Sequence, residues 1–175
     1  MNLLRRFIMI ATILISCVGC DQATKSIAKS YLSESQALSL LGGSVRMQIA
    51  KNYGAFLNLG DSMPQTLRAS VLSIGVGVVL SSMLAFLFLT KSTNPIVVLA
   101  IALIVGGGLS NLIDRWHYGG YVVDFINVGV WRLRTGIFNV ADMCIMLGVP
   151  LLLFGNWLWY QRAGIRELRT NTWRR

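Results

Sequence analysis

The chain has 175 residues, 54% of them hydrophobic and only 13% charged, with a net charge of +9. Its apolar residues gather into runs as long as a bilayer requires, about 20 residues, and one small soluble core could not bury them all. The basic residues flank these runs instead of forming an aromatic-interleaved patch, which excludes nucleic acid as a partner and points to membrane lipids.

In chain order, the first expected span covers about residues 7–24, behind Arg5 and Arg6. A long loop follows, about residues 25–68. Strand-like stretches at residues 45–50 and 55–59, separated by Asn52 and Gly54, predict a small extramembrane sheet in that loop. The second span, about residues 69–90, lies between Arg68 and Lys91. It carries Ala69, Ser73, Gly77, Ser81 and Ala85 at every fourth position, a stripe that reads as a packing face for another helix.

Ser92-Thr93-Asn94-Pro95 then turns the chain into a third span, about residues 96–113, where Gly106, Gly107 and Gly108 permit close approach. A second loop, about residues 114–136, leads to a fourth span at about 137–160. Pro150 predicts a kink there, and Trp157, Trp159 and Tyr160 form an aromatic belt at its end. The expected fold is an α-helical membrane protein with four transmembrane helices, one domain over residues 1–175.

Four spans put both termini on one side. The sixteen Lys and Arg residues divide evenly between the two sides, but those on the terminal side crowd into far fewer residues. The positive-inside rule therefore puts both termini in the cytoplasm and both large loops outside. The basic tail, residues 162–175, is then expected against anionic headgroups. Cys17, Cys20 and Cys144 lie in apolar segments and read as small packed hydrophobes.

Asp21, Asp114, Asp124 and Asp142, four of the seven acidic residues, fall at or near the outer ends of spans. Ionisable groups at membrane depth are costly and are usually paired or functional. Asp142 closes Phe138-Asn139-Val140-Ala141-Asp142, where Asn139 can cap the fourth helix with Asp142 at the third helical position. Asp124 sits in Val122-Val123-Asp124-Phe125-Ile126, and an ion pair with Arg115 or Arg132 would be its plain structural explanation.

Taken together, two such carboxylates can share a proton, one activating water while the other protonates a carbonyl. The Asp-Thr-Gly and Asp-Ser-Gly repeats of soluble aspartic proteases are absent, so such a peptidase would be of a membrane type. Asn111, Asp114 and Arg115 share a helical face, with Arg115 either neutralising Asp114 or holding a substrate carbonyl. Asp21 and Lys25 stand at i, i+4 and can pair. His117, the only histidine, reads as an interfacial residue, and no metal or other cofactor is expected.

Five stretches in order carry a resemblance. They are Asp21-Gln22-Ala23-Thr24-Lys25, Asn52-Tyr53-Gly54-Ala55, Gly108-Leu109-Ser110-Asn111-Leu112-Ile113-Asp114-Arg115, Val122-Val123-Asp124-Phe125 and Phe138-Asn139-Val140-Ala141-Asp142. The chain resembles the lipoprotein signal peptidase (signal peptidase II) family. The resemblance implies a membrane aspartyl peptidase that cleaves diacylglyceryl-modified prolipoproteins just before the lipidated cysteine. It implies Asp124 and Asp142 as the catalytic pair. Asp21, Lys25, Asn52, Gly54, Asn111, Asp114, Arg115 and Asn139 match positions that support the site or contact substrate. It further implies a periplasmic β-cradle, a flap over the site, and sensitivity to cyclic-peptide inhibitors. Many members read Asn-Thr-Gly-Ala-Ala-Phe-Ser where this chain has Asn52-Tyr53-Gly54-Ala55-Phe56-Leu57-Asn58. The expected setting is the bacterial inner membrane, with a functional monomer acting on lipid-modified prolipoproteins.

Three other readings compete. Arg5-Arg6, an apolar run and Cys20 resemble a lipoprotein signal, but Cys17 is a poor residue at its third position before the cysteine and three further spans follow. A proton-coupled transporter could use the aspartates as relays, although they cluster at one face and do not line a path. A metal-dependent lipid-headgroup enzyme would take Asp114, Asp124 and Asp142 as Mg²⁺ ligands.

Overall fold

The computed structural model describes residues 2–54, 64–90 and 94–172. Helix α1 (Leu3–Tyr31) is capped by Asn2, whose side chain accepts from the Arg5 amide. A short strand β1 (Leu38–Leu40) and a 3-10 turn lead to β2 (Val45–Asn52). Next come α2 (Gln65–Ser70), a π-helical turn (Val71–Gly75) and α3 (Val76–Leu89), which run on without a break. Helix α4 (Pro95–Tyr118) starts with Pro95 behind the Asn94 cap and stops at Gly119, which is left-handed at φ 70°. Strands β3 (Val122–Val130) and β4 (Leu133–Arg134) precede α5 (Val140–Thr172), which contains Pro150.

Three helical stretches, Leu3–Tyr31, Val71–Leu89 and Pro95–Tyr118, are long and apolar enough to cross a membrane, and Val140–Gly155 is a shorter apolar stretch. The molecule is thus mostly helical, with three to four apolar helices and a small antiparallel sheet, as a multi-pass membrane protein requires. The helices outrun the apolar runs of the sequence. Lys25 is the clearest case, because it belongs to α1 and not to the loop after it.

Helix α4 is the central element, with 61% of its most apolar window buried against 17% for α1 and 11% for the Val71–Leu89 stretch. Its Val98, Ile101, Ala102 and Val105 form the core with Ile10 of α1 and Leu87 of α3. Successive helical residues point about 100° apart, so its three consecutive glycines face three different neighbours. A Cβ on Gly106 would lie 2.8 Å from Cys17 Cβ of α1, one on Gly107 2.3 Å from the Ala141 carbonyl of α5, and one on Gly108 2.6 Å from Leu80 of α3. At the opposite end of α1 from the sheet, Arg6 donates to the Thr90 carbonyl at 2.7 Å, tying α1 to the end of α3.

The small-residue stripe of the second span does not pack as expected. Ser81 and Ala85 are exposed, and the helix buries Leu80 and Leu87 instead. Gly108 of α4 accepts Leu80, so the close approach there comes from α4 and needs no small face on α3. Ser73, Gly77, Ser81 and Ala85 of the stripe line an open groove of about 700 Å³ beside Leu109, Leu112 and Trp116 of α4. Of the cysteines, Cys17 is buried as expected, whereas Cys20 is exposed on the outer side of α1.

The four strands form one antiparallel sheet in the order β1-β2-β3-β4. The predicted strand near residues 45–50 exists, but its main partner is β3 of the second loop, not a neighbour in its own loop. The run Val122-Val123-Asp124-Phe125-Ile126 is β-branched and aromatic on both sides of its carboxylate, which suits a buried strand. Residues 55–63, the turn residues Ser92 and Thr93, and the side chains of Trp159, Tyr160 and residues 162–175 lie outside the described residues. The expected flap, second strand, link and basic tail fall there.

Gly107→Ala is expected to force α5 away from α4, costing about 1–3 kcal/mol. Gly77→Ala, where the new Cβ would meet only Leu112 at 3.7 Å, is expected to be neutral. Unfolding of the purified variants in mixed micelles measures the difference.

Candidate functional site

The site forms where the outer-loop strands meet one end of α1, α4 and α5. Asp124 faces inward from β3 at the position paired with Ala50 of β2, and it is 1% exposed. Two carboxamides hold it. Asn52 Nδ2 donates to its Oδ2 at 2.9 Å, and Asn139 Nδ2 donates to its Oδ1 at 2.6 Å. Among the described residues it has no ion pair with Arg115 or Arg132, so the simple structural explanation of this carboxylate fails.

Asp142 stands in the first turn of α5 and completes a reciprocal cap with Asn139. Its amide donates to Asn139 Oδ1 at 2.8 Å, while its own Oδ2 accepts from the Asn139 amide at 3.3 Å. Each thereby satisfies a backbone donor that a helix N-terminus leaves over. The capping reading of this motif is therefore right, and it also sets the position of the carboxylate. The remaining oxygen, Oδ1, accepts from Asn111 Nδ2 at 2.9 Å.

Asn111 connects this pair to a buried ionic cluster. Its Oδ1 accepts from Asn139 at 3.1 Å and from Lys25 Nζ at 3.3 Å. Lys25, only 2% exposed, is ion-paired to Asp21 at 2.6 Å and to Asp114 at 2.8 Å. The expected i, i+4 pair is therefore real, but Asp114 shares the cation. Both carboxylates also serve as anchors. Asp21 accepts from the Ala141 amide at 2.9 Å and from Ser110 Oγ at 2.7 Å, and Asp114 accepts from the Val123 amide at 3.0 Å and from Gln22 at 2.8 Å.

Arg115 does not neutralise Asp114. Its guanidinium donates to the Gly54 carbonyl at 2.9 Å and to the Asn111 carbonyl at 3.3 Å, and its Nε is buried without a partner among the described residues. Gly54 in turn donates its amide to Asn52 Oδ1 at 3.0 Å. All ten residues singled out in the sequence thus join one hydrogen-bonded network.

Sequence reasoning missed two members, Gln22 and Ser110. Both lie inside the matching motifs, but Ser110 follows three glycines and looks like packing, and Gln22 carries no charge to attract notice. His117 is exposed with its ring edge-on to Tyr118, in keeping with an interfacial residue. No group of three His, Cys, Asp or Glu among the described residues is arranged to hold a metal ion.

Burial, and then the nearby charge of Asp142, push the Asp124 carboxyl up from 3.8 to about 7, while the Asn52 and Asn139 bonds pull it down. A carboxyl so placed keeps its proton far above the usual carboxylate range and loses it near neutral pH. The arrangement is two adjacent buried carboxyl groups, bridged by Asn139, with donors aimed at their outer oxygens.

The family profile of signal peptidase (SPase) II matches residues 13–158. This chain belongs to the signal peptidase II family. It is 32% identical over 151 residues to the lipoprotein signal peptidase of Pelodictyon phaeoclathratiforme, covering 81% of this chain and 86% of that protein. It is 37% identical over 146 residues to that of Sphingopyxis alaskensis, covering 82% of each. Among solved structures, a bacterial membrane enzyme determined by the in meso method superposes with a TM-score of 0.74 at 25% identity, covering 85% of this chain and 87% of that one.

Breaking a buried ion pair from one side leaves an uncompensated charge and costs about 3–5 kcal/mol. Lys25→Met, which strands Asp21 and Asp114, is expected to destabilise the fold by that order, and Lys29→Met at the exposed end of α1 much less. Denaturant titration of both variants measures the contrast.

Proposed function

We propose that this protein is an aspartic-type signal peptidase that removes signal peptides from diacylglyceryl-modified prolipoproteins, cutting just before the lipidated cysteine. Its family membership supports the reaction and substrate class. The observation that carries the catalytic assignment is the bridged pair Asp124 and Asp142, buried at one end of the helices and held only by uncharged donors.

In this reading one carboxylate takes a proton from water as the oxygen attacks the scissile carbonyl carbon. The other, protonated, donates to the carbonyl oxygen. Collapse of the tetrahedral intermediate then breaks the C–N bond, the leaving amine takes up the proton held by the first carboxyl, and the second carboxylate recovers its proton from the intermediate's hydroxyl. Asn139 and Asn111 keep the two carboxyls in register. Arg115 Nε, a buried donor, is available to a substrate carbonyl. Asp21, Lys25 and Asp114 hold the amides of Ala141 and Val123, and so the elements on which the pair is mounted. Asn52 and Gly54 form the near wall.

Four spans in a single domain over residues 1–175, with both termini cytoplasmic and the site at the periplasmic face of the inner membrane, complete the proposal. Charge density along the sequence supports this orientation. A single chain holds every group invoked, which supports a functional monomer. The clustering of Asp21, Asp114, Asp124 and Asp142 at one end of the helices, with no acidic path through them among the described residues, tells against a proton-coupled transporter.

Asp124→Asn and Asp142→Asn are each expected to lower cleavage of a lipidated precursor by roughly 10²–10⁴-fold without loss of folded protein. Asn at 142 retains an acceptor for the cap, so it removes charge and spares the helix end. The unlipidated precursor is expected to be a poor substrate, and a chelator to leave activity intact. Full activity in either variant would sink the catalytic assignment, and a chelator-sensitive reaction would favour the metal-dependent alternative.

The pH profile follows from the raised Asp124 carboxyl. The pair works while it holds one proton, and that proton leaves near pH 7. Above this value no carboxyl remains to protonate the carbonyl, so kcat/KM is expected to fall on the alkaline side with a midpoint close to that value. Removing the Asn52 bond, which holds the value down, should move this limb upward in Asn52→Ala.

A further inference from the structure

Strand β2 ends at Asn52, and its last residues alternate across the sheet. Asn52 turns in to Asp124, so Tyr53 turns the other way, toward the rim. There its ring lies 5.4 Å from that of Tyr121, which stacks on Tyr118 at 5.2 Å with the planes 16° apart. Three cations border this column. Arg68 lies over Tyr53 at 5.5 Å, Lys51 over Tyr121 at 5.8 Å and Lys29 over Tyr118 at 4.7 Å, with Lys29 also donating to the Tyr118 hydroxyl. The column thus joins the end of α1, the end of α4, the entrance to β3 and the last turn of α2.

Neither neighbour of Tyr53 can move independently of it. Asn52 bonds Asp124 at 2.9 Å on one side, and Gly54 gives its carbonyl to Arg115 at 2.9 Å and its amide to Asn52 at 3.0 Å on the other. Tyr53 itself touches neither carboxylate. Its ring makes contacts that run outward, to Tyr121 and Arg68.

We propose that Tyr53 is a positioning residue, latching the Asn52-Tyr53-Gly54 wall to the tyrosine column so that Asn52 stays on Asp124 and Gly54 on Arg115. The proposal rests on the catalytic reading of Asp124. Besides Asn52, Asp124 is faced by Asn139 and Asp142 from α5 and its cap, by Lys25 of α1 and by Arg115 of α4. None of these bonds Tyr53, so loosening the latch reaches Asp124 directly through the Asn52 bond and otherwise only by way of Gly54 and Arg115. Since that bond holds the Asp124 proton affinity down, its weakening raises it.

The test uses the full chain in micelles with a lipidated precursor, measuring kcat and KM across pH. Tyr53→Ala is expected to lower kcat about 10-fold with KM changed less than about 2-fold, and to move the alkaline limb upward, in the same direction as Asn52→Ala. Tyr53→Phe keeps the ring and should restore both. Tyr121→Ala removes the contact from the other side and should reproduce the effect, with the double variant no worse than either single one. It also keeps the test decisive should Tyr53→Ala fail to fold.

A wild-type limb in both alanine variants, a change in KM alone, or a Phe variant as impaired as Ala would each overturn the latch. If Asp124→Asn is inactive while these variants behave as wild type, only the latch fails. If Asp124→Asn is active, the catalytic reading fails first.

Discussion

Everything in this molecule is arranged around α4, and the arrangement depends on three glycines. Gly106, Gly107 and Gly108 remove side chains from three successive directions, and α1, α5 and α3 each move into one of the spaces. In a bilayer the lipid chains are as apolar as the helices, so association depends on close packing and on hydrogen bonds. The contact of Gly107 with the Ala141 carbonyl has the largest consequence, because Ala141 precedes Asp142. The same close approach that packs α5 on α4 brings the start of α5 within reach of Asn111.

Immediately beyond the glycines, the surface of α4 changes from apolar to polar. Ser110, Asn111, Asp114 and Arg115 occupy the next turn and a half, and all are buried. Buried charges are tolerated only when they are paired and hydrogen-bonded. Asp21, Lys25 and Asp114 meet that condition with one another and with backbone amides of β3 and α5. Asp124 and Asp142 meet it differently, with carboxamides and an amide but no cation in contact. The contrast separates carboxylates that hold the architecture from the pair proposed to work on substrate. In the first group a shared cation and backbone amides fix the carboxylates in place. In the second, uncharged donors orient the oxygens and leave a proton at Asp124 available near neutral pH.

The sheet supplies the fourth side of this site, and it comes from two loops far apart in sequence. Strand β2 brings Asn52 and Gly54, β3 brings Asp124, and their antiparallel pairing puts Ala50 opposite Asp124. A bulge between Met47 and Ala50 shifts the register, and with it which β2 residues stand opposite the carboxylate. The tyrosine column braces the same corner from outside.

Much of this was legible from the sequence alone. Apolar run length identified the membrane segments, because bilayer thickness imposes a minimum length that is local to the chain. The Asn139–Asp142 cap and the Asp21–Lys25 pair were readable from three- and four-residue spacings, since helical geometry makes such neighbours certain to meet. The ordered motifs pointed to ten residues that fold into one hydrogen-bonded network. What the sequence could not supply were relations without a local period. It did not reveal that β2 pairs with the second loop, that Lys25 is shared with Asp114, or that Asp124 lacks a cation while Arg115 turns to Gly54. Nor did the four-residue stripe on the second span disclose that it lines a groove, because packing depends on the partner surface as much as on its own. Residue type and spacing determined which groups are candidates for the chemistry. Only the tertiary structure, through the glycine contacts of α4 and the pairing of two distant strands, decided which of those groups touch.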